Sequence, residues 1–168
     1  MTIRVGLGFD VHRLEEGRPC VLGGITLPHP TGPTGHSDGD AVLHALTDAV
    51  TGASGLDDIG TLFPDDDPKW KDADSAKLFA EAVRLANEKG WRLVNVDVVI
   101  ATEGPRIKPH RAEMRSRIAE LCALDVDAVN VKGKTLEGLG ALAAGAGVAV
   151  QAVCLVERIG GDRPHSLA

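Results

Sequence analysis

The chain has 168 residues, 43% of them hydrophobic and 25% charged, and a net charge of -6. That length supports one domain with its own core, and the composition is that of an ordinary soluble protein rather than a disordered or fibrous one. The acidic balance argues against the basic face of a nucleic-acid binder but admits a small phosphorylated ligand, because bound metal ions can offset its charge.

Only 3% of residues are aromatic, so the core is expected to be aliphatic. Cys20, Cys122 and Cys154 lie far apart and form no C-x-x-C pair, which predicts reduced, buried thiols in a cytosolic protein. The first residues do not have the shape of a secretory signal, and no apolar run reaches membrane-spanning length. The expectation is a cytoplasmic protein with no nucleic-acid or membrane partner.

Residues 3–9 read as a strand, with Val5, Leu7 and Phe9 alternating with smaller residues. Gly6-x-Gly8 is not a dinucleotide fingerprint, because Val11 stands where a third glycine belongs and no helix pattern follows. If the strand persists through His12, Asp10 and His12 project to one face. They are then two legs of a metal site, or an ion pair at a strand end. Residues 20–27 read as a hairpin turning at Gly23-Gly24, followed by a Pro/Gly loop over 28–35.

The run from His36 to Asp48 combines a helix start with two histidines and three acids. Ser37 is the expected N-cap, with Asp40 three residues on, and the helix should run to about Ser54. Leu43, Leu46, Val50, Val42 and Ala49 form its buried face, and Asp40, His44 and Asp48 form a second stripe at i, i+4, i+8. His44 is either a partly buried histidine bonded to an acid or a metal ligand. The acidic loop over 56–68 contains Pro64 and Pro68, which forbid a continuous helix or strand. Its carboxylates are simply solvated, or they bind hydroxyls or a cation.

Asp74 or Ser75 should cap a helix to Lys89 that carries no chemistry. A strand over 93–101 is expected to turn Val94, Val96, Val98 and Ile100 to one side. The loop over 102–108, with a glycine, a proline and two cations, forms a ligand pocket or an ordinary strand-to-helix turn. A helix then runs from Pro109 to Cys122, and a strand covers 129–132. Gly133-Lys134-Thr135-Leu136-Glu137 has the look of a phosphate turn but lacks P-loop spacing, so ATP is not implied. Residues 147–158 form a last apolar strand, central or interfacial. These elements predict an α+β fold, with a mixed β-sheet and helices packed on one face. The domain spans 1–159 and a polar tail 160–168. The apolar last strand leaves the other sheet face needing cover, which points to self-association.

Two His and one Asp match a zinc shell with an open fourth position, and Glu137 suits a harder ion such as magnesium. Beyond this, the chain resembles the 2-C-methyl-D-erythritol 2,4-cyclodiphosphate synthases of the non-mevalonate isoprenoid pathway. The resemblance rests on Gly8-Phe9-Asp10-Val11-His12, His36-Ser37-Asp38-Gly39-Asp40, and Leu43-His44-Ala45-Leu46-Thr47-Asp48-Ala49. It extends to Asp58-Ile59-Gly60, Leu62-Phe63-Pro64-Asp65, Asp67-Pro68 and Asn95-Val96-Asp97.

The resemblance implies a homotrimer with active sites between subunits and the bare sheet face in the trimer interior. It implies a phosphorus–oxygen lyase that acts on 4-diphosphocytidyl-2-C-methyl-D-erythritol 2-phosphate and releases CMP. It implies a divalent metal, Zn2+, at Asp10, His12 and His44, and Mg2+ or Mn2+ with the substrate diphosphate at Glu137. His36 and Thr135 would orient or stabilise the reacting phosphates, and Ser37, Lys134, Leu136 and Glu137 would also bind substrate. Asp58 and Gly60 would meet the ribose or erythritol hydroxyls, and Ile59, Phe63, Asp65 and Asp67 would also bind substrate. Thr102, Gly104, Pro105, Arg106, Ile107 and Lys108 would form the cytidine pocket.

The chain departs from the family after Lys132, where many members read Ala-Thr-Thr-Thr-Glu. Ala141 and Ala144 also stand where a bulky aromatic and an arginine are usual. The departure removes one contact for an isoprenoid diphosphate in the central trimer cavity. The competing readings are a metal phosphohydrolase, disfavoured by the lack of a dinuclear ligand set, and a structural metal site in a ligand-binding trimer.

Overall fold

A computed structural model describes residues 2–35, 37–64, 66–67, 70 and 73–160. The expected tail therefore lies outside the described residues beyond Gly160.

The framework is a five-stranded mixed sheet in the order β4-β1-β7-β5-β6. Strand β1 (Ile3–Glu16) pairs antiparallel with β4 (Thr31–Pro33) and with β7 (Gly147–Arg158). On its other side β7 pairs antiparallel with β5 (Trp91–Thr102), which runs parallel to β6 (Val129–Lys134). The last strand is central, as its apolar character predicted. A separate hairpin joins β2 (Cys20–Leu22) to β3 (Ile25–Leu27) through Gly23 and Gly24, whose φ values of 67° and 75° suit a two-residue turn of the primed type.

Helices α1 (Ala41–Ser54), α3 (Ser75–Glu88) and α4 (Arg111–Cys122) cover one face of the sheet, and a short helix, α2 (Ile59–Leu62), precedes Pro64. Gly6 and Gly8 explain how close α1 lies. A Cβ at Gly6 would stand 1.8 Å from the Ala49 carbonyl oxygen, and one at Gly8 1.8 Å from that of Ala45. The Gly-x-Gly pair is thus a packing device that lets helix backbone rest on strand backbone. Between these layers lies an aliphatic core that includes Leu43, Leu46, Val50, Val98, Ile100 and Val150. The three cysteines are free and buried, and burial pushes their thiols up to about 11 at Cys20, 12 at Cys122 and 11 at Cys154.

Several local expectations need correction. β1 does not end near Phe9. It continues to Glu16, because β7 pairs it through Arg13 and β4 takes over from Leu14 to Glu16. Ser37 is not the N-cap of α1. Asp40 is, accepting from the Val42 and Leu43 N–H groups at 3.0 and 3.1 Å. Val94 does not share a face with Val96, because a bulge between Leu93 and Asn95 shifts the alternation by one residue. Leu93, Val96, Val98 and Ile100 are buried and Val94 is exposed. α4 begins at Arg111, after a 3-10 turn over Lys108–His110. Gly133 and Lys134 continue β6 rather than opening a turn.

The opposite face of the sheet is bare in the single chain. Ile3, Val5, Leu7, Phe9 and Val11 of β1 all point into it with at least half of their surface exposed, joined by Val153 of β7. Among the described residues no helix is long and apolar enough to cross a membrane.

Candidate metal and phosphate site

The strand period places Asp10 and His12 on the helix-covered face of β1, where α1 brings His44 against them. Asp10 Oδ2 lies 2.8 Å from His12 Nε2 and 3.1 Å from His44 Nδ1, and the two ring nitrogens are 3.1 Å apart. Among the described residues these three form the group whose ligand atoms converge closely enough to hold one metal ion. A tetrahedral zinc shell has ligand atoms about 3.3 Å apart, given bonds of about 2.0–2.1 Å. The triangle needs to open by only a few tenths of an ångström to admit the ion.

The hydrogen-bond network assigns the tautomers. His12 Nδ1 faces the Thr34 carbonyl oxygen, which can only accept, so Nδ1 carries the proton and Nε2 presents its lone pair to the triangle. His44 Nε2 faces the Ser37 and Ser75 hydroxyls at 3.0 and 2.9 Å, leaving Nδ1 to the triangle. Two lone pairs and a carboxylate oxygen aimed at one point repel each other, and a cation relieves that repulsion. The donor set therefore fits a divalent metal. Without a metal, the same nitrogens face Asp10 as proton donors instead: burial raises the Asp10 carboxyl, but hydrogen bonds and charge from His12 and His44 outweigh it and hold Asp10 well below the usual carboxylate range. Burial lowers His12, and Asp10 outweighs it in turn, so the imidazole lies above its ordinary value.

The triad opens into a cavity of about 220 Å³ that Ser37, Ile59, Gly60 and Phe63 also line. Asp58, exposed, caps α2 by accepting from the Thr61 N–H at 2.8 Å, and hydrogen bonds from Thr61 hold its carboxyl below the ordinary value. Asp48 accepts from the Ile59 N–H at 2.9 Å, tying the loop to the helix that carries His44. Asp67 follows in a turn, donating its N–H to the Pro64 carbonyl at 3.1 Å. His36, Asp65 and the side chain of Ala141 lie outside the described residues.

A second cavity, of about 580 Å³, gathers most of the remaining candidates. Thr102, Pro105, Arg106, Ile107, Lys108, Lys134 and Thr135 line it, with Arg111 and Lys132 adding charge that the sequence reading did not place there. Lys132 is ion-paired with Asp97 at 2.5 Å and Glu103 also lines the cavity, but Arg106, Lys108, Arg111 and Lys134 leave a cationic excess that favours an anionic ligand. Gly104 is held beside it through Thr102, whose hydroxyl accepts the Gly104 N–H at 3.2 Å. The Leu136 N–H is not free for phosphate in this conformation, because it donates to Glu103 Oε1 at 2.8 Å. Glu137 is exposed and accepts from the Thr135 hydroxyl at 2.5 Å, apart from the triad.

Register relates the two cavities. His12 and Thr102 both pair with Val148, from opposite sides of β7. The metal triad and the cation-lined loop therefore sit at the same end of the sheet, roughly 10 Å apart in backbone terms, two strand spacings.

The model of the YgbB family matches residues 3–157. A 2-C-methyl-D-erythritol 2,4-cyclodiphosphate synthase of Dechloromonas aromatica is 51% identical over 160 residues, covering 95% of this chain and all of that protein. A synthase of the same name, solved in a CDP-bound form, superposes with a TM-score of 0.85 at 44% identity, covering 92% of this chain and 100% of that one. The bifunctional IspDF of Campylobacter jejuni matches with a TM-score of 0.90 at 42% identity over 94% of this chain. This chain spans only 43% of that longer protein. By sequence along nearly its whole length and by the arrangement of its sheet, the chain belongs to the YgbB family.

Proposed function

We propose that this chain is a metal-dependent phosphorus–oxygen lyase. It converts 4-diphosphocytidyl-2-C-methyl-D-erythritol 2-phosphate to 2-C-methyl-D-erythritol 2,4-cyclodiphosphate and releases CMP. The convergence of Asp10, His12 and His44 on one point carries this reading. The family's synthases and the CDP-bound relative support the choice of substrate.

An oxygen of the substrate's own 2-phosphate attacks the β-phosphorus, the bond from that phosphorus to the CMP oxygen breaks, and CMP leaves with the electron pair. The chain supplies no nucleophile, so its residues act by positioning and by field. Asp10, His12 and His44 are the residues to hold zinc, and Glu137 to hold a magnesium or manganese ion beside the diphosphate. When bound, these ions neutralise the charge that gathers on the reacting phosphates. Lys134 and Thr135, with His36 and Ser37, orient the phosphates. The Asp58-Ile59-Gly60 turn meets the hydroxyls, and Phe63, Asp65 and Asp67 complete the substrate contacts. The segment from Thr102 to Lys108 receives the cytidine.

The expected result with purified protein, zinc and magnesium is CMP plus a cyclic diphosphate, resolved by phosphorus NMR. CMP accompanied only by the uncyclised 2,4-bisphosphate assigns the chain to the phosphohydrolases instead.

The active form is a homotrimer in the cytoplasm, with the bare face of the sheet turned inward. Half-exposed Val5, Leu7 and Phe9 in one row support this, since so large an apolar stripe is rare on a monomer. Light scattering is expected to return about three times the 17.6 kDa chain mass. Leu7→Asp should lower that mass toward the monomer, and a monomeric wild type overturns the assembly.

A further inference from the structure

Helix α3 looked purely structural from its sequence, yet its first residue touches the metal triad. Ser75, 1% exposed, places its Oγ 2.9 Å from His44 Nε2 and 2.5 Å from Asp38 Oδ1. Asp38 is an acceptor only, so the Ser75 hydroxyl proton goes to Asp38. The Ser75 oxygen then has only lone pairs to offer His44, and it accepts the Nε2–H.

Asp38 is itself anchored. Its Oδ2 accepts the Ser75 N–H at 3.2 Å, its Oδ1 accepts the Asp40 N–H at 3.1 Å, and its own N–H donates to the Ala73 carbonyl at 3.3 Å. Asp74, the neighbouring residue, caps α3 through the Ala76 N–H at 2.9 Å and so leaves Ser75 free for this second task.

We propose that Asp38 and Ser75 are positioning residues for His44: the Asp38–Ser75–His44 chain locks the imidazole with its Nδ1 lone pair facing Asp10 and His12, and so sets the affinity of the triad for a divalent metal. The inference rests on the reading of the triad as a metal site. Ser37 lies 3.0 Å from the same nitrogen, but its own hydroxyl proton has no carboxylate to receive it among the described contacts. It therefore cannot impose the tautomer as Ser75 does. Partners that orient a ligating histidine this way typically govern metal affinity by about 10–100-fold.

The test is competitive zinc binding against a chromophoric chelator, with cobalt substitution to read coordination geometry from the visible spectrum. Ser75→Ala is expected to bind zinc about 10–100-fold more weakly and to lose intensity in its tetrahedral cobalt bands, while its metal-free melting temperature stays close to wild type. Ser75→Thr, which keeps the hydroxyl, should restore both readouts. Asp38→Asn supplies the same comparison if Ser75→Ala does not fold, because it removes the anion that directs the serine proton. Equal zinc affinity in the wild type and the variants overturns the positioning role alone. A wild-type chain that binds neither zinc nor cobalt overturns the metal reading and this inference with it.

Discussion

Replacing His44 with alanine is expected to lower cyclisation by at least about 1,000-fold, close to 4 kcal/mol of transition-state stabilisation. Protein-bound zinc, measured by atomic emission, should fall below stoichiometry in the same variant. The size follows from the geometry. His44 Nδ1 is one corner of a triangle whose other corners are a carboxylate oxygen and a single imidazole nitrogen. Two ligands hold zinc poorly, and without the ion the charge on two adjoining phosphates is left uncompensated. The fold should persist, because the strand pairing and the core on which α1 rests do not pass through this side chain. Lost zinc with full turnover removes the metal from the mechanism. Unfolding on metal removal by a chelator makes the site structural instead.

Asp40→Ala is expected to reduce the free energy of unfolding by about 4 kcal/mol, read as a shift of the urea midpoint at unchanged slope. Asp40 is fully buried and accepts four backbone N–H groups. Val42 and Leu43 of α1 donate to Oδ1, as does Gly23 of the hairpin turn at 2.9 Å, and Gly24 donates to Oδ2 at 2.6 Å. Alanine leaves all four donors in a dry site, and an unsatisfied buried donor costs about 1–3 kcal/mol. Burial pushes the Asp40 carboxyl up, and the N–H groups pull it back only in part. Asp40→Asn keeps an acceptor oxygen and should cost less than alanine. A loss below about 1 kcal/mol for alanine would mean that water reaches these donors, contrary to the buried-donor accounting. Since the same residue starts the helix that carries His44, the alanine variant should also weaken metal binding.

The metal triad was legible because each part of it is local. Asp10 and His12 share a face through the two-residue period of a strand, and His44 falls on the stripe between core and solvent through the helical period. Ser75 was not legible, since it lies 31 residues from His44 and looks like any residue at a helix start. Arg111 and Lys132 of the cation-lined cavity were hidden for a similar reason, one belonging to a helix and the other to a strand. The N-cap was misplaced because Ser37 and Asp40 both suit a cap. The choice fell to Asp40 when the hairpin brought two more N–H groups to its carboxylate. Val94 was misplaced because a bulge is a property of strand pairing and breaks an alternation that looks regular in one strand alone.

The amino-acid sequence by itself determined the order and type of the main elements, the glycine turn of the hairpin, the aliphatic core and the ligand types, but not β4 or α2, which form inside segments that read as loops. The features it determined all follow from backbone periods and side-chain chemistry over a few residues. The tertiary structure decided which groups meet. Strand register set His12 and Thr102 against the same residue of β7, and helix-on-strand contact at Gly6 and Gly8 brought α1 close enough for His44 to reach Asp10. Packing also left one apolar face of the sheet without helices. Those outcomes depend on contacts between segments far apart in the chain, and no local period contains them.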